Sequence, residues 1–408
     1  MRRFVLLLCL ATACAGPSRT SRPVPGTPPP AARTEPPAIH EASPLTGPEL
    51  PSLPLQRVTS PENVFTAEVE ATAAPTLTRN EGSTRLDIPL GTGAVLACFV
   101  YERPLDAAGA LLAVAKAVRS GPGVTVKSMT PTEVTVVAGA PALFLRVDYE
   151  ASTPASGTGT GQLKLMVSAS PELPLLCAHD EPGYERTFRR ITLGLATSLQ
   201  VPGRSRTPAL VEELHALKLN GKLAGFDWYA VRVPGRAEST TSLLLPGTDS
   251  TLRAEDATTT TLTDERGGLT ELRHARAEDG VLALQVTVRR EASGTTYRYE
   301  GRQGTKPLKG TFTSKRGLAT REDIATTARK LTPGQEAVLD VYRPAEDFTA
   351  PVELTVRPAP GPRTLTLGTG STPAKATVDA EGLVERLELP RPEGRLTSER
   401  VHFQRANP

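Results

Sequence analysis

The residue types able to do chemistry are few and scattered. The five histidines are His40, His179, His215, His274 and His402. None sits in the H-x-x-x-H or H-E-x-x-H spacing that puts two imidazoles on one helix face. Cys177-Ala178-His179-Asp180 gathers a thiol, an imidazole and a carboxylate within four residues. A single Cys-x-His falls short of the four-ligand spacing of a zinc site, and no C-x-x-C supplies a redox pair. Asp180 and Glu181 suit the start of a following helix, where the peptide dipoles favour negative charge. Gly157-Thr158-Gly159-Thr160-Gly161 and Gly368-Thr369-Gly370 lack both the Lys-Ser/Thr and the helix N-terminus that a phosphate loop needs, so they read as hairpin glycines. No G-x-S-x-G elbow is present. The sequence therefore implies no catalytic residue, no metal and no cofactor. A hydrolase-type enzyme built around Cys177 and His179 is the third reading, behind two non-enzymatic ones.

The N-terminus bears on location rather than activity. Arg2 and Arg3 precede an apolar run, Phe4 to Leu10, and Ala11-Thr12-Ala13 follows. This is the plan of a secretory signal, and its apolar run is shorter than the ~20 residues that cross a bilayer. Small residues directly before Cys14 resemble a bacterial lipoprotein signal. That resemblance implies removal of residues 1–13, a diacylglycerol on the Cys14 thiol, and attachment to a membrane. It departs from the usual pattern at Ala11, where a leucine is typical; an ordinary signal cut after Ala13 is the alternative. In families with outer-membrane sorting, Ala15 implies the outer membrane, here facing the periplasm. Once Cys9 and Cys14 are set aside, Cys98 and Cys177 remain. In an exported chain an isolated pair reads as one disulfide, with two separate buried thiols as the plain alternative. Closing that loop would contribute ~4 kcal/mol on the chain-entropy view.

Composition adds little about partners. The 408 residues carry a net charge of +3, two units of which are the signal arginines. No basic stretch is interleaved with aromatics, so nothing argues for nucleic acid. Residues 14–56 are proline-rich, with Pro28-Pro29-Pro30 and Pro36-Pro37. Proline removes an amide donor and fixes φ, so this segment reads as a disordered tether that holds the folded part off a membrane.

Two regions follow the tether. In residues 57–200, Leu86, Ile88 and Leu90 alternate with polar residues, and Ala94 to Tyr101 is a continuous buried-strand run. A helix is expected over Leu105–Arg119. Strands are expected at Val134–Val137, Ala142–Tyr149, Gln162–Ser168 and Pro174–Cys177, and a second helix presents Tyr184, Phe188, Ile191 and Leu195 on one face. Val137-Ala138-Gly139-Ala140-Pro141-Ala142, Phe188-Arg189-Arg190-Ile191 and Ser198-Leu199 resemble the PsbP-like α/β-sandwich family. That resemblance implies an α+β fold, an N-terminal antiparallel sheet with two packing helices, and a binding or accessory role. Residues 201–217 read as a connector with a short helix at Ala209–Leu217.

Residues 218–408 read as a mostly antiparallel, all-β domain. Leu282, Leu284, Val286 and Val288 alternate with polar positions, Thr258–Thr261 suits a strand, and Asp279-Gly280 is a hairpin dipeptide. Asp264-Glu265-Arg266-Gly267 is echoed by Asp379-Ala380-Glu381-Gly382. Such turns, with Pro333-Gly334 opening a strand that ends at Tyr342, loosely resemble the large antiparallel sheets of lipoprotein-carrier and related envelope proteins. Trp228, Tyr229, Tyr297, Tyr299 and Tyr342 supply most of the large aromatics. On one concave sheet face they would line a pocket for a small apolar ligand; packed together they would be ordinary core. The expectation is a lipid-anchored envelope protein with a non-enzymatic binding or accessory role. The alternative is an assembly factor that meets envelope proteins through an exposed sheet edge.

Overall fold

The computed structural model describes residues 47–153, 157–247, 251–369 and 373–406. The signal, Cys14 and most of the tether lie outside them.

The first region opens with a ribbon of β1 (Leu55–Thr59) and β2 (Thr66–Glu70). A seven-stranded antiparallel sheet follows. It contains β3 (Thr76–Asn80), β4 (Ser83–Pro89), β5 (Val95–Tyr101), β6 (Val124–Val137), β7 (Ala140–Thr153), β8 (Gly157–Ser168) and β9 (Leu175–Asp180). Helix α1 (Ala107–Arg119) lies between β5 and β6 in the chain, and α2 (Glu185–Ser198) follows β9. Strand β9 returns to sit between β5 and β8, giving the order 3-4-5-9-8-7-6.

The second region is a single fourteen-stranded antiparallel sheet. One meander runs through β10 (Val211–Leu219), β11 (Lys222–Val233), β12 (Arg236–Pro246), β13 (Leu252–Thr263), β14 (Leu269–Glu278), β15 (Val281–Arg290), β16 (Thr296–Gln303) and β17 (Lys306–Thr313). Helix α3 (Arg321–Lys330) then carries the chain to the far end of the sheet. A second meander returns through β18 (Ala337–Val341), β19 (Val352–Pro358), β20 (Thr364–Gly368), β21 (Ala374–Val378), β22 (Val384–Arg391) and β23 (Gly394–Arg405), which pairs with β10. The two ends of the sheet come together. Leu318, just beyond β17, bridges Asp340 of β18, and the Ala319 N–H donates to the Asp340 carbonyl at 2.7 Å. Phe312 of β17 stacks on Tyr342, one residue past β18, with ring centroids 5.2 Å apart. The sheet is therefore curled into a barrel-like wall, and α3 packs within it against Val341, Leu354, Val356 and Ala376.

The two regions pack directly on each other within one compact unit. On β7, Ala142 and Phe144 join the cluster of α2 residues Phe188, Ile191 and Leu195. The alternate residues Leu143, Leu145 and Val147 are also buried, because successive side chains point to opposite faces and the other face is covered by α1. Helix α1 rests on β6–β8 and also on β12 and β13 of the large sheet. It is buried on several sides, with Ala107, Ala108, Gly109, Leu111, Leu112, Val114, Ala115 and Val118 all inside. Gly109 permits this: a Cβ there would stand 3.0 Å from the backbone of Gly280, at the tip of the β14–β15 hairpin.

This overturns the expected α+β class with two helices packed on one N-terminal sheet. Strand makes up 56% of the described residues and helix 11%, and α1 and α2 do not share a face. The large sheet covers the side that a free-standing sandwich would leave to water. The helix expected at Ala209–Leu217 is also corrected, since Val211–Leu219 is strand β10. Its spaced leucines mimic a helix stripe, but pairing with β11 on one side and β23 on the other wins. The tether ends earlier than residue 56. Leu50 and Leu53 pack on the first core, and the Pro48 carbonyl accepts from the Tyr184 N–H at 2.8 Å.

Local turn chemistry matches its residues. Asp279 and Gly280 both have positive φ, 51° and 76°, as a two-residue hairpin of matching twist requires. The echoed Asp-x-x-Gly segments adopt one geometry. Asp264 Oδ1 accepts from the N–H groups of Arg266 and Gly268, and Asp379 Oδ1 from those of Glu381 and Leu383.

Candidate functional site

Strands pair side by side, so inward residues two apart on one strand line up with those on the next. On the inner wall this alternation places Asp227 and Tyr229 of β11, Thr259 of β13, and Leu272 and His274 of β14 beside one another. They border two adjoining cavities. One, of about 210 Å³, lies between β11–β14 and the start of α3, where Thr320, Arg321 and Glu322 close it. The other, of about 390 Å³, lies between β13–β14 and β20–β22, under the loop after β18. Thr259, Leu272 and Tyr342 border both. Of these three, Tyr342 is held by a 2.8 Å hydrogen bond from its hydroxyl to the Phe348 carbonyl.

The two chambers differ in polarity. The smaller holds charge in fixed pairs. The Tyr229 hydroxyl donates to Glu322, and the Arg321 guanidinium lies 4.6 Å over the Tyr229 ring. Arg321 also donates to Glu213 at 2.5 Å and stands 3.9 Å from Asp227. Burial, with the Glu322 charge beside it, pushes the Tyr229 hydroxyl above its ordinary range. Burial acts to raise the Glu213 carboxyl, but His215 and Arg321 outweigh it and hold the group low. The larger chamber is walled by Leu272, Leu367, Ala374, Leu387 and Leu389. His274 borders it, 8% exposed. Its Nδ1 is 3.0 Å from the Thr259 hydroxyl, while its Nε2 has no partner. Burial, with Arg276 nearby, lowers its pKa to about 4, so the ring is neutral at ordinary pH.

The structure divides the aromatic set named from sequence. Tyr297, Tyr299 and Tyr342 gather around Phe312, at 5.5, 6.4 and 5.2 Å between centroids. They form a stacked core at the closed end of the sheet, and of the set Tyr342 and Tyr229 border the two cavities. Trp228 points to the opposite face of β11, where its indole N–H donates to Glu212 at 3.0 Å and Arg232 covers the ring. It belongs to the packing of one region on the other. His274 and Arg321 were not singled out from sequence. The alternation of Leu272 with His274 was a usable signal for the first; nothing local marks the second, which reaches the site only because α3 crosses the sheet.

Elsewhere the remaining candidates are structural. Cys98 and Cys177 are register partners on β5 and β9, with Sγ atoms 2.09 Å apart and both fully buried. His179, two residues on, is buried between rings, 6.5 Å from Phe188 and 6.2 Å from Tyr184; neither nitrogen is hydrogen-bonded, and Nε2 stands 3.8 Å from the Glu181 carboxylate. Burial and the Lys164 charge lower its pKa to about 3. Lys164 is itself pushed down to about 8 by burial. The expected capping role of Asp180 and Glu181 is not what they do. Asp180 accepts from the Tyr149 hydroxyl and Glu181 from that of Thr92, while α2 starts later, at Glu185.

One arrangement has the order of a nucleophilic triad: Ser398 Oγ lies 3.1 Å from His215 Nδ1, and His215 Nε2 lies 3.4 Å from Glu213. Ser398 lines neither chamber. Two clefts outside the sheet are larger, about 530 and 520 Å³. Their arginines are already engaged: Arg289 with Glu271 and Glu300, Arg290 with Asp264, and Arg232 with the Gly139 and Thr207 carbonyls.

The fold and site together define a curled antiparallel sheet, plugged by one helix and bordering two half-open cavities, packed on a smaller sheet. No protein-family model matches the chain, and no curated protein matches it. Among solved structures it is similar to the beta-barrel-like protein of domain of unknown function DUF1849 from Brucella abortus, at 12% identity and a TM-score of 0.39, over 50% of this chain and all of that one. A DUF1089 family protein from Pseudomonas aeruginosa matches at 15% identity and 0.25, over 46% of this chain and 93% of that one. A protein from Bacteroides thetaiotaomicron matches at 10% and 0.22, over 39% of this chain and 52% of that one. At these scores the likeness does not bear on function.

Proposed function

We propose that this chain is a cell-envelope protein, held to a membrane by diacylglycerol on Cys14, whose curled sheet binds a small amphipathic molecule. The observation behind the binding role is the pair of chambers sharing Tyr342, one with fixed charges and one walled by leucines. Ligand sites are typically concave and apolar with a few placed polar groups. Pairing through a sheet edge is the weaker reading, because outer strand β17 exposes Lys306 and Lys309, and edge lysines oppose strand addition.

Solvent extraction of protein purified from membranes, followed by mass spectrometry, tests the role. A stoichiometric apolar compound is expected, lost from a Tyr342→Trp variant that crowds both chambers. An empty protein that also takes up no apolar probe would remove the binding reading. Labelled palmitate should enter the wild type and not Cys14→Ala, which should leave the membrane fraction. Incorporation into both would overturn the anchor.

A further inference from the structure

Resting on that reading, we propose that the larger cavity takes a single-chain carboxylate, its apolar chain along the leucine wall and its head on the guanidinium of Arg343. The wall comes from neighbouring strands. Leu367 of β20 pairs with Ala374 of β21, and Ala376, two residues on, pairs with Leu387 of β22. Leu389 follows on the same face of β22. Leu367, Leu387 and Leu389 are half-buried rather than sealed in the core, and the space they border, about 390 Å³, falls in the range of small-ligand sites. A charge stands at the edge of that space. Arg343 Nη1 donates to Glu346 at 3.0 Å and to the Thr369 hydroxyl at 3.2 Å, and all three residues border the cavity. Thr369 lies two residues beyond Leu367, so the guanidinium adjoins the leucine wall. The Arg343 side chain is 38% exposed, which leaves it within reach of a ligand in the cavity.

The geometry of the guanidinium narrows the head. Both of its contacts fall on Nη1, and among the described residues neither Nε nor Nη2 has an acceptor. The Nε–Nη2 side of the fork is therefore open, and its two parallel N–H groups match the two oxygens of a planar carboxylate. Glu346 competes weakly. Its side chain is 51% exposed, three residues on from Arg343, and exposed ion pairs of that kind add little. The base of Arg343 is fixed, because the preceding Tyr342 is stacked on Phe312 and bonded to the Phe348 carbonyl. Among the described residues that border the cavity, Arg343 is the one cation at ordinary pH, where the His274 ring is neutral.

Isothermal titration of the full chain with octanoate, decanoate, 1-decanol and decylammonium at pH 7.5 tests this. The two added methylenes should tighten decanoate over octanoate, by about fourfold each. Decanoate should bind about tenfold more tightly than decanol, and decylammonium most weakly. Arg343→Gln should weaken decanoate about tenfold and leave decanol unchanged, since it removes the charged fork and keeps the apolar wall. Glu346→Gln, which removes the competing carboxylate, should tighten decanoate. The Nε–H resonance of Arg343 should shift on adding decanoate and not on adding decanol. Leu389→Trp, which fills the place of the chain and leaves Arg343 intact, should abolish binding of both. Decanol or decylammonium binding as tightly as decanoate, or undiminished decanoate binding in a folded Arg343→Gln or Leu389→Trp, overturns the inference while leaving a ligand-binding sheet in place. Binding of no probe to the wild type overturns the inference and the proposed function together.

Discussion

Helices α1 and α2 begin differently from α3. The positional N-cap of α1, Asp106, makes no capping bond with its side chain. Instead Asp256 of β13, far along the chain, accepts from the Ala108 and Gly109 N–H groups at 3.0 and 2.8 Å, and from Ser242 at 2.6 Å. Helix α2 is served by Glu49, which accepts from the Arg186 and Thr187 N–H groups at 2.9 and 2.7 Å. Helix α3 caps itself, with Thr320 and Asp323 forming a reciprocal box. The first four N–H groups of any helix need partners. In the N-terminal region those partners come from the large sheet and from the end of the tether, so that region is incomplete by itself. The large sheet closes on its own helix and keeps room inside. Its buried His274 borders a cavity, whereas His179 meets aromatic rings.

The largest effect that would break this contrast is at the disulfide. Reduction, or Cys98→Ser with Cys177→Ser, should cost about 4 kcal/mol, read by denaturant unfolding. Hydrogen exchange should accelerate in β5 and β9 far more than in β14. Non-reducing thiol labelling of the native protein should find neither Cys98 nor Cys177 free, and two labelled thiols would remove the bond.

Next comes Asp256→Ala. Two buried helix N–H groups lose their acceptor, at ~1–3 kcal/mol each. Faster exchange confined to the start of α1 would sharpen the claim that one region completes the other; an unchanged α1 would break it.

Two of the buried histidines, His179 and His274, allow a matched test by pH. Both lie below the ordinary 6.5 in the folded state, at about 3 for His179 and about 4 for His274. The unfolded chain therefore binds these protons first, and stability is present above pH 6.5 and lost as pH falls towards the folded values. Each should contribute a loss of about 2 kcal/mol between pH 7.5 and pH 5. His179→Leu and His274→Leu should each flatten the profile by that amount. The smallest effect is Thr320→Ala, about 1 kcal/mol for a local cap, with exchange loosened only in the first turn of α3.

Several elements were legible in the sequence for local reasons. The α1 span agrees with its apolar periodicity to within two residues, α2 buries Phe188, Ile191 and Leu195 as its periodicity requires but starts later than Asp180, and Asp279-Gly280 turns as its φ requirements dictate. The echoed aspartates at 264 and 379 bond identically because Asp-x-x-Gly closes a turn by itself. The helix expected over 209–217 failed because neighbours on both sides recruited Val211 to Leu219 into a ladder. The aromatic set was right in composition and wrong in placement: Trp228 and Tyr229 are adjacent, so a strand must send them to opposite faces.

What the sequence alone determined is what depends on short-range geometry: strand alternation, turns, and where helices run. Only the tertiary structure decided that fourteen strands curl until Leu318 meets Asp340, that α3 threads the interior, and that His274 and Leu389 border one cavity. The physical reason is that strand pairing such as β10 with β23, and side-chain convergence such as His274 with Leu389, join residues over a hundred positions apart, and no local pattern records which strand will find which.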